Sequence, residues 1–387
     1  MVKANSLLTS AFILLSLSCQ YSRSQNIFVA VDGDDGNPGT LESPKRTIQA
    51  GVDLLEAGDT LFIREGTYHE EVIIDQLIGT EGAPVVIMPF NGEAVTFDGT
   101  VPVETDWTIH EGAIYKSTTG FDTWQLFQGQ NMMMPARWPN AFLHDHSVWD
   151  RELNWAHGNE DASENGILVD APHDNVSLAG SGIDATGAMA ILNVGSWKTY
   201  SREVITHEKD TNIFTYTPVP GYKTKQHYYY LEGTLELLDA PGEWVYDKTS
   251  GELYAWMPGS QPPDTSLRAK VQSWCISAER SEHIKISGIQ FFATTFLFHN
   301  CYNITVEDCT MKFPSCSRRM LKETAEPDVT RMYNSNTYSP TNNSLINCDI
   351  SFTESEAIYF RGNANLVENC RFYFIDWVVA DRPKLMT

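Results

Sequence analysis

The sequence predicts an all-β chain built as a solenoid of stacked coils, with an N-terminal cap helix and an inserted β-rich domain. Three observations predict it. Short strand-like runs, split by Gly-containing turns, follow one another without long helices in the first hundred residues. One six-residue pattern recurs four times in the C-terminal third. Between these stretches the repeat is lost, and Trp, Tyr, His and Pro become frequent. The expected boundaries are a leader at 1–24, the cap and first coils at 25–100, the inserted domain at 101–270, and continued coils at 271–387.

In chain order, Lys3 precedes an apolar run from Leu7 to Leu17, the length of a signal-peptide core and short for a bilayer span. Ser22-Arg23-Ser24 supplies small residues for cleavage near Gln25. The rival is lipid anchoring at Cys19, behind a poor lipobox, Ser16-Leu17-Ser18. The chain is therefore expected to be secreted, periplasmic or at the cell surface, and no later segment reads as a membrane span.

Ile27–Val31 reads as the first strand and 32–40 as a turn cluster rich in Asp, Gly and Asn. A helix is expected from Thr47 to Glu56, with Ile48, Val52 and Leu55 on one face and Gly58-Asp59 ending it. Strands follow at Thr60–Ile63, Glu71–Ile74, Pro84–Met88 and Ala94–Phe97. In the insert, strand-like runs lie at Met189–Val194, Ile213–Tyr216, Tyr228–Leu231 and Leu253–Trp256, with long loops at 142–166 and 218–227.

The C-terminal pattern aligns Ile289, Cys309, Cys348 and Cys370 in one column, preceded by Gly288, Asp308, Asn347 and Asn369. The spacings are 20, 39 and 22 residues, the 39 being one coil with a loop. A single coil cannot bury its apolar face, so neighbours stack like side chains. The three cysteines are expected inside as small hydrophobes. Disulfides among the six cysteines after the leader are the alternative. The chain ends at Thr387 with no capping coil, so further coils are expected.

Phe28-Val-Ala-Val-Asp-Gly, Asn37-Pro-Gly-Thr, Thr47-Ile-Gln, Gly58-Asp-Thr and Glu65-Gly-Thr-Tyr together resemble the N-terminal cap and first coils of right-handed parallel β-helix proteins of the pectate-lyase-like superfamily. Arg137-Trp-Pro-Asn140 and Leu238-Asp-Ala-Pro-Gly-Glu-Trp244 resemble the inserted region of secreted bacterial members. The resemblance implies a right-handed parallel β-helix and a carbohydrate-active protein. The superfamily holds glycoside hydrolases, polysaccharide lyases, esterases, epimerases and non-catalytic adhesins, so the fold does not choose the reaction. Arg137-Trp-Pro-Asn140 itself reads as a rigid turn docking the insert on the helix.

The repeat sharpens the search for chemistry. Six residues past each column position lie Thr295, Ser315, Glu354 and Asp376. In register, Glu354 and Asp376 sit on adjacent rungs, about 4.8 Å apart at the backbone. Two carboxylates about 5 Å apart suit a retaining glycosidase. Glu356, two residues on and about 7 Å from Glu354 along a strand, would suit the inverting geometry. The bland alternative is a set of solvated turn carboxylates. Arg361, Arg371 and Arg319 are the candidate substrate-binding cations, and Trp377 the candidate stacking ring.

Charge bears on the partner. Lys+Arg is 27 and Asp+Glu is 50, a formal charge of −23, so nucleic acid is excluded. Residues 300–387 carry only −2, so a uronate polysaccharide is not repelled there. The expected substrate is thus a polysaccharide or oligosaccharide. Hydrolysis is the first reading, β-elimination on uronates the second, and non-catalytic carbohydrate binding the third. No lyase motif, GxSxG elbow, CxxC motif or phosphate loop appears. No cofactor is expected, with calcium at a carboxylate turn as the alternative. Asp32-Gly-Asp34-Asp35-Gly-Asn37 looks like a calcium loop but lacks the distal Glu, and reads as a cap turn. His144 and His146, with His157 and His173 further on, lack a third ligand at metal spacing.

Overall fold

The computed structural model describes residues 24–195, 198–225, 227–335 and 340–377. The expected leader, apart from Ser24, lies outside the described residues, as do residues 378–387 of the continued coils. Three parallel sheets wrap one apolar core and form a right-handed parallel β-helix. The first sheet runs Asn26–Val29, Thr60–Ile63, Val85–Pro89, Ile284–Ser287, Thr305–Glu307, Ser344–Ile346, Leu366–Glu368. The second runs Gly66–Tyr68, Val95–Asp98, Gln290–Phe292, Thr310–Lys312, Asp349–Thr353, Arg371–Ile375. The third holds Val72–Asp75, Trp274–Glu279, Thr295–His299, Arg331–Tyr333 and Tyr359–Arg361.

These strands are too short to hold a fold alone, and stacking supplies the core. Ile87, Ile286, Val306 and Leu345 occupy equivalent positions on successive rungs, and all are buried. Phe97 and Phe291 stack one rung apart at 5.6 Å. The corners explain the repeat's punctuation. Gly288, Asp308, Asn347 and Asn369 all take left-handed backbone, which Gly, Asn and Asp adopt most readily. The amides also form a ladder: Asn369 Nδ2 donates to Asn347 Oδ1 (2.7 Å), and Asn347 Nδ2 to Asp308 Oδ1 (3.0 Å). In the next position, Cys309 and Cys348 are buried and Cys370 half-buried. All six described cysteines are free thiols, so the disulfide alternative is not realised.

At another corner Phe313, Phe352 and Phe374 stack with ring spacings of 5.0 and 4.7 Å, and Trp149 stacks on Phe374 at 5.4 Å. The cap helix is shorter than its pattern suggests, Ile48–Val52. Gly51 lets it lie close on the first sheet, where an added Cβ would meet Leu61 Cδ1 at 2.6 Å. Beyond Val52 the chain turns, with Leu55 N–H bonding Val52 O.

Val85–Pro89 pairs directly with Ile284–Ser287, so the coil stacking continues across the intervening residues. The chain leaves along Thr100–Pro102 and returns antiparallel along Leu267–Lys270. Arg268 holds this neck, bonding Asp98 at 3.1 Å and Thr100 Oγ1 at 2.7 Å. The intervening sheets are mainly antiparallel. Their central strands, Met189–Asn193 and Tyr228–Glu232, are almost wholly buried because both faces are covered. Ala190, Leu192, Tyr229 and Leu231 face the insert's own core. Met189, Ile191 and Tyr230 face a second cluster that includes Trp377, past the last described rung.

Arg137-Trp-Pro-Asn140 does not dock the insert on the helix as expected. Arg137 is buried within the insert, donating to Pro139 O and Asn154 O and lying 4.0 Å from the Tyr230 ring. Asn140 bonds Asp239, also in the insert. The docking contact comes instead from a coil loop.

Candidate functional site

That loop joins Thr310–Lys312 to Arg331–Tyr333 and is the source of the 39-residue spacing. Its short 3-10 turn, Arg319–Leu321, is buried against the insert. Arg319 Nε donates to Glu232 Oε1 of the insert at 2.6 Å, and its Nη1 donates to Glu354 Oε1 of the next coil. One guanidinium thus joins two carboxylates from two parts of the fold, all three nearly inaccessible to solvent.

The backbone register runs through this point. Ser315 Oγ donates to Glu354 O at 2.9 Å and accepts from Glu354 N–H at 3.0 Å. On the other side Thr353 pairs with Ile375, and Trp377 N–H bonds Thr353 O at 3.0 Å. Ser315, Glu354 and Asp376 therefore lie on successive rungs. Asp376 is half-buried, and its Oδ1 accepts from Ser355 N–H at 3.3 Å. Glu356 differs from expectation. The strand ends at Thr353 and Ser355 has left-handed backbone, so Glu354 and Glu356 are not alternate residues of one strand. Glu356 accepts from Ser355 Oγ instead.

Burial alone would raise the Glu354 pKa. The Arg319 guanidinium and hydrogen bonds from Ser317 outweigh it and hold Glu354 below the usual carboxylate range. Glu354 is thus an anion fixed inside the protein. It lines a cavity of about 20 Å³, room for one water molecule, with Trp124, Gln125, Glu232, Arg319 and Trp377. Trp124 Nε1, Gln125 Oε1 and Trp377 Nε1 have no hydrogen-bond partner among the described residues. Lys270 lies close by, wholly buried, its pKa pushed down to about 8, chiefly by burial.

The candidate cations fare differently. Arg319 is committed to two carboxylates and positions Glu354. Arg371 is paired to Asp349 on the neighbouring rung, a surface ion pair rather than a free binding cation. Arg361 is exposed. Trp377 is 3% exposed and lies on the cavity wall. Glu232, Trp124 and Gln125 escaped the sequence reading because they are remote from the repeat. The available signal was a lone carboxylate ending the apolar run Tyr228–Glu232. At the cap, Asp35 spends its carboxylate on Arg46 N–H, Thr47 N–H and Thr47 Oγ1, as a turn residue does.

His157 and His173 stack at 3.5 Å with rings 4° from parallel. Burial first, then the neighbouring imidazole, lowers the His157 pKa. The folded state therefore binds fewer protons than the unfolded one. This contribution is complete above the ordinary imidazole pKa and is lost as pH falls below it. We expect the urea midpoint to fall between about pH 7 and 5.5, and His157→Gln to flatten that slope. An unchanged slope would exclude the stack as its source.

No family model matches the sequence. A pectate lyase, PEL9, of Emericella nidulans is 40% identical over 75 residues, 19% of this chain and 18% of the lyase. A solved structure described as a glycoside hydrolase superposes with a TM-score of 0.69 at 15% identity, over 92% of this chain and 74% of its own. The structure of XylC with xylose follows with a TM-score of 0.50 at 14% identity, over 93% of this chain and 55% of its own. At such identities the superpositions establish the fold, the right-handed parallel β-helix.

Proposed function

We propose that the chain is a secreted carbohydrate-active enzyme that hydrolyses glycosidic bonds with Glu354 and Asp376. One observation carries the reading: a buried, ionised Glu354 lies one rung from Asp376, on a cavity walled by Trp124 and Trp377. A carboxylate that stays charged in a dry site stabilises positive charge developing at an anomeric carbon, or attacks it. It cannot also supply the leaving-group proton, so that role falls to Asp376. Tryptophan rings suit the apolar face of a pyranose. The cavity admits one water as it stands, so a sugar ring reaches Glu354 only when a lining side chain moves. Two carboxylates need no cofactor for this reaction. The resemblance to a glycoside hydrolase supports the scaffold. Among the described residues no helix is long and apolar enough to cross a membrane, which is compatible with export.

Elimination on a uronate glycan is the second reading, favoured by the stretch shared with a pectate lyase. It needs a cation near the substrate carboxylate, and Arg361 is the candidate not drawn into the carboxylate network. Incubation with a panel of neutral and uronate polysaccharides separates the two. New reducing ends without absorbance near 235 nm are expected. An unsaturated-uronate signal overturns hydrolysis in favour of elimination, and binding without product overturns both.

A further inference from the structure

A second cavity adjoins the first across a shared wall. Glu232, Arg319 and Met320 line the Glu354 cavity, while Gly233, Thr234, Met320 and Lys322 line another of about 340 Å³. The runs 232–234 and 319–322 thus contribute to both. The second cavity's volume lies at the small end of the ligand-site range. Its polar groups are mixed in kind. Lys322 Nζ donates to Gly187 O (2.7 Å) and Gly233 O (2.9 Å), which leaves one of its three N–H groups for a ligand. Thr234 Oγ1 is buried from solvent and has no partner among the described residues. Glu203 adds a carboxylate acceptor. The lining carboxylates Glu203 and Asp247 balance the lining cations Lys248 and Lys322. Asp247 is occupied by Thr249 N–H and Ser250 Oγ, and Lys248 pairs with Asp122. Leu235 and Val245 supply apolar wall.

We propose that this cavity binds a neutral mono- or disaccharide, at a site separate from Glu354. A ligand of either charge meets a like charge in the lining. A neutral polyol meets a donor in Lys322, an acceptor in Glu203 and, once the Thr234 side chain rotates towards it, both in that hydroxyl, and sets its less polar face on Leu235 and Val245. The proposal rests on the reading that the chain works on saccharides, but it needs no turnover. Because the 319–322 turn carries both Lys322 and Arg319, an occupant would contact the same turn that holds Glu354.

Ligand-observed NMR titration of the full chain tests it, using methyl β-D-xylopyranoside and methyl β-D-glucopyranoside against glucuronate and glucosamine. Saturable binding is expected for at least one neutral glycoside, severalfold tighter than for the charged sugars. Thr234→Val and Glu203→Gln should each weaken it about tenfold, the loss of one hydrogen bond. Glu354→Gln should leave it unchanged. Failure of both neutral glycosides to bind overturns the proposal. So does equal binding of charged sugars, or binding that Glu354→Gln abolishes while Thr234→Val and Glu203→Gln leave it intact. Binding at this cavity by a chain that cleaves no glycan overturns the hydrolytic reading and leaves this one standing.

Discussion

Replacing Arg319 with methionine is expected to lower stability by about 3–5 kcal/mol, because it strands two buried carboxylates. Methionine keeps much of the apolar stem, so lost packing contributes little. What disappears is the guanidinium that bonds both Glu232 and Glu354, whose side chains are 6% and 2% exposed. Urea unfolding followed by tryptophan fluorescence measures the loss. The triple variant Arg319→Met, Glu232→Gln, Glu354→Gln should recover much of it, since neutral groups of similar shape need no countercharge. The pH dependence should change sign. In the parent, Glu354 is held below the ordinary carboxylate pKa, so its contribution is present above that pKa and is lost as pH falls. Without Arg319, burial dominates and raises Glu354 instead. The variant should therefore gain stability relative to the parent on acidification. A loss under 1 kcal/mol, or an unchanged pH slope, would show that the three groups are not coupled as their geometry implies.

The same triad shows what the sequence could reveal. Coil stacking was legible because its signals are local and repeated. Asn347 and Asn369 mark left-handed corners, and Cys348 and Cys370 mark the inward position beside them. That register is enough to set Glu354 beside Asp376. It cannot show where Glu354 points, because its partner Arg319 lies in a loop that breaks the repeat. Glu232 is further removed still, in an antiparallel sheet whose packing against the coils follows no periodicity. Glu356 failed for a local reason. Its assignment assumed that the strand continued past Thr353, and nothing in Glu-Ser-Glu announces the left-handed Ser355 that ends it. The arginines were the least legible, since a surface one such as Arg371 and a buried one such as Arg319 look alike until their partners are known.

Glu354→Gln and Asp376→Asn should each lower kcat/KM on the cleaved glycan by about 10²–10⁴-fold, yet differ in how they depend on the leaving group. Arg319 and Ser317 hold Glu354 ionised, so its removal takes away the anion facing the anomeric carbon, whatever group departs. Glu354→Gln should therefore be equally slow on a polysaccharide and on an aryl glycoside with an acidic phenol. Asp376→Asn removes the proton donor, which an acidic phenol does not require. That variant should keep most of its first-step rate on the aryl glycoside while losing the polysaccharide reaction. With Glu354 as nucleophile and Asp376 as acid and base, the reaction should proceed with net retention at the anomeric carbon, visible in the NMR spectrum of the first-formed product. Glu356→Gln should stay within severalfold of the parent, because the left-handed turn at Ser355 takes Glu356 out of the register that sets Glu354 one rung from Asp376. Inversion would mean that a water, not Glu354, attacks. Full activity in both Glu354→Gln and Asp376→Asn would place the chemistry elsewhere on the helix, and leave the buried triad as the device that fastens the insert to the coils.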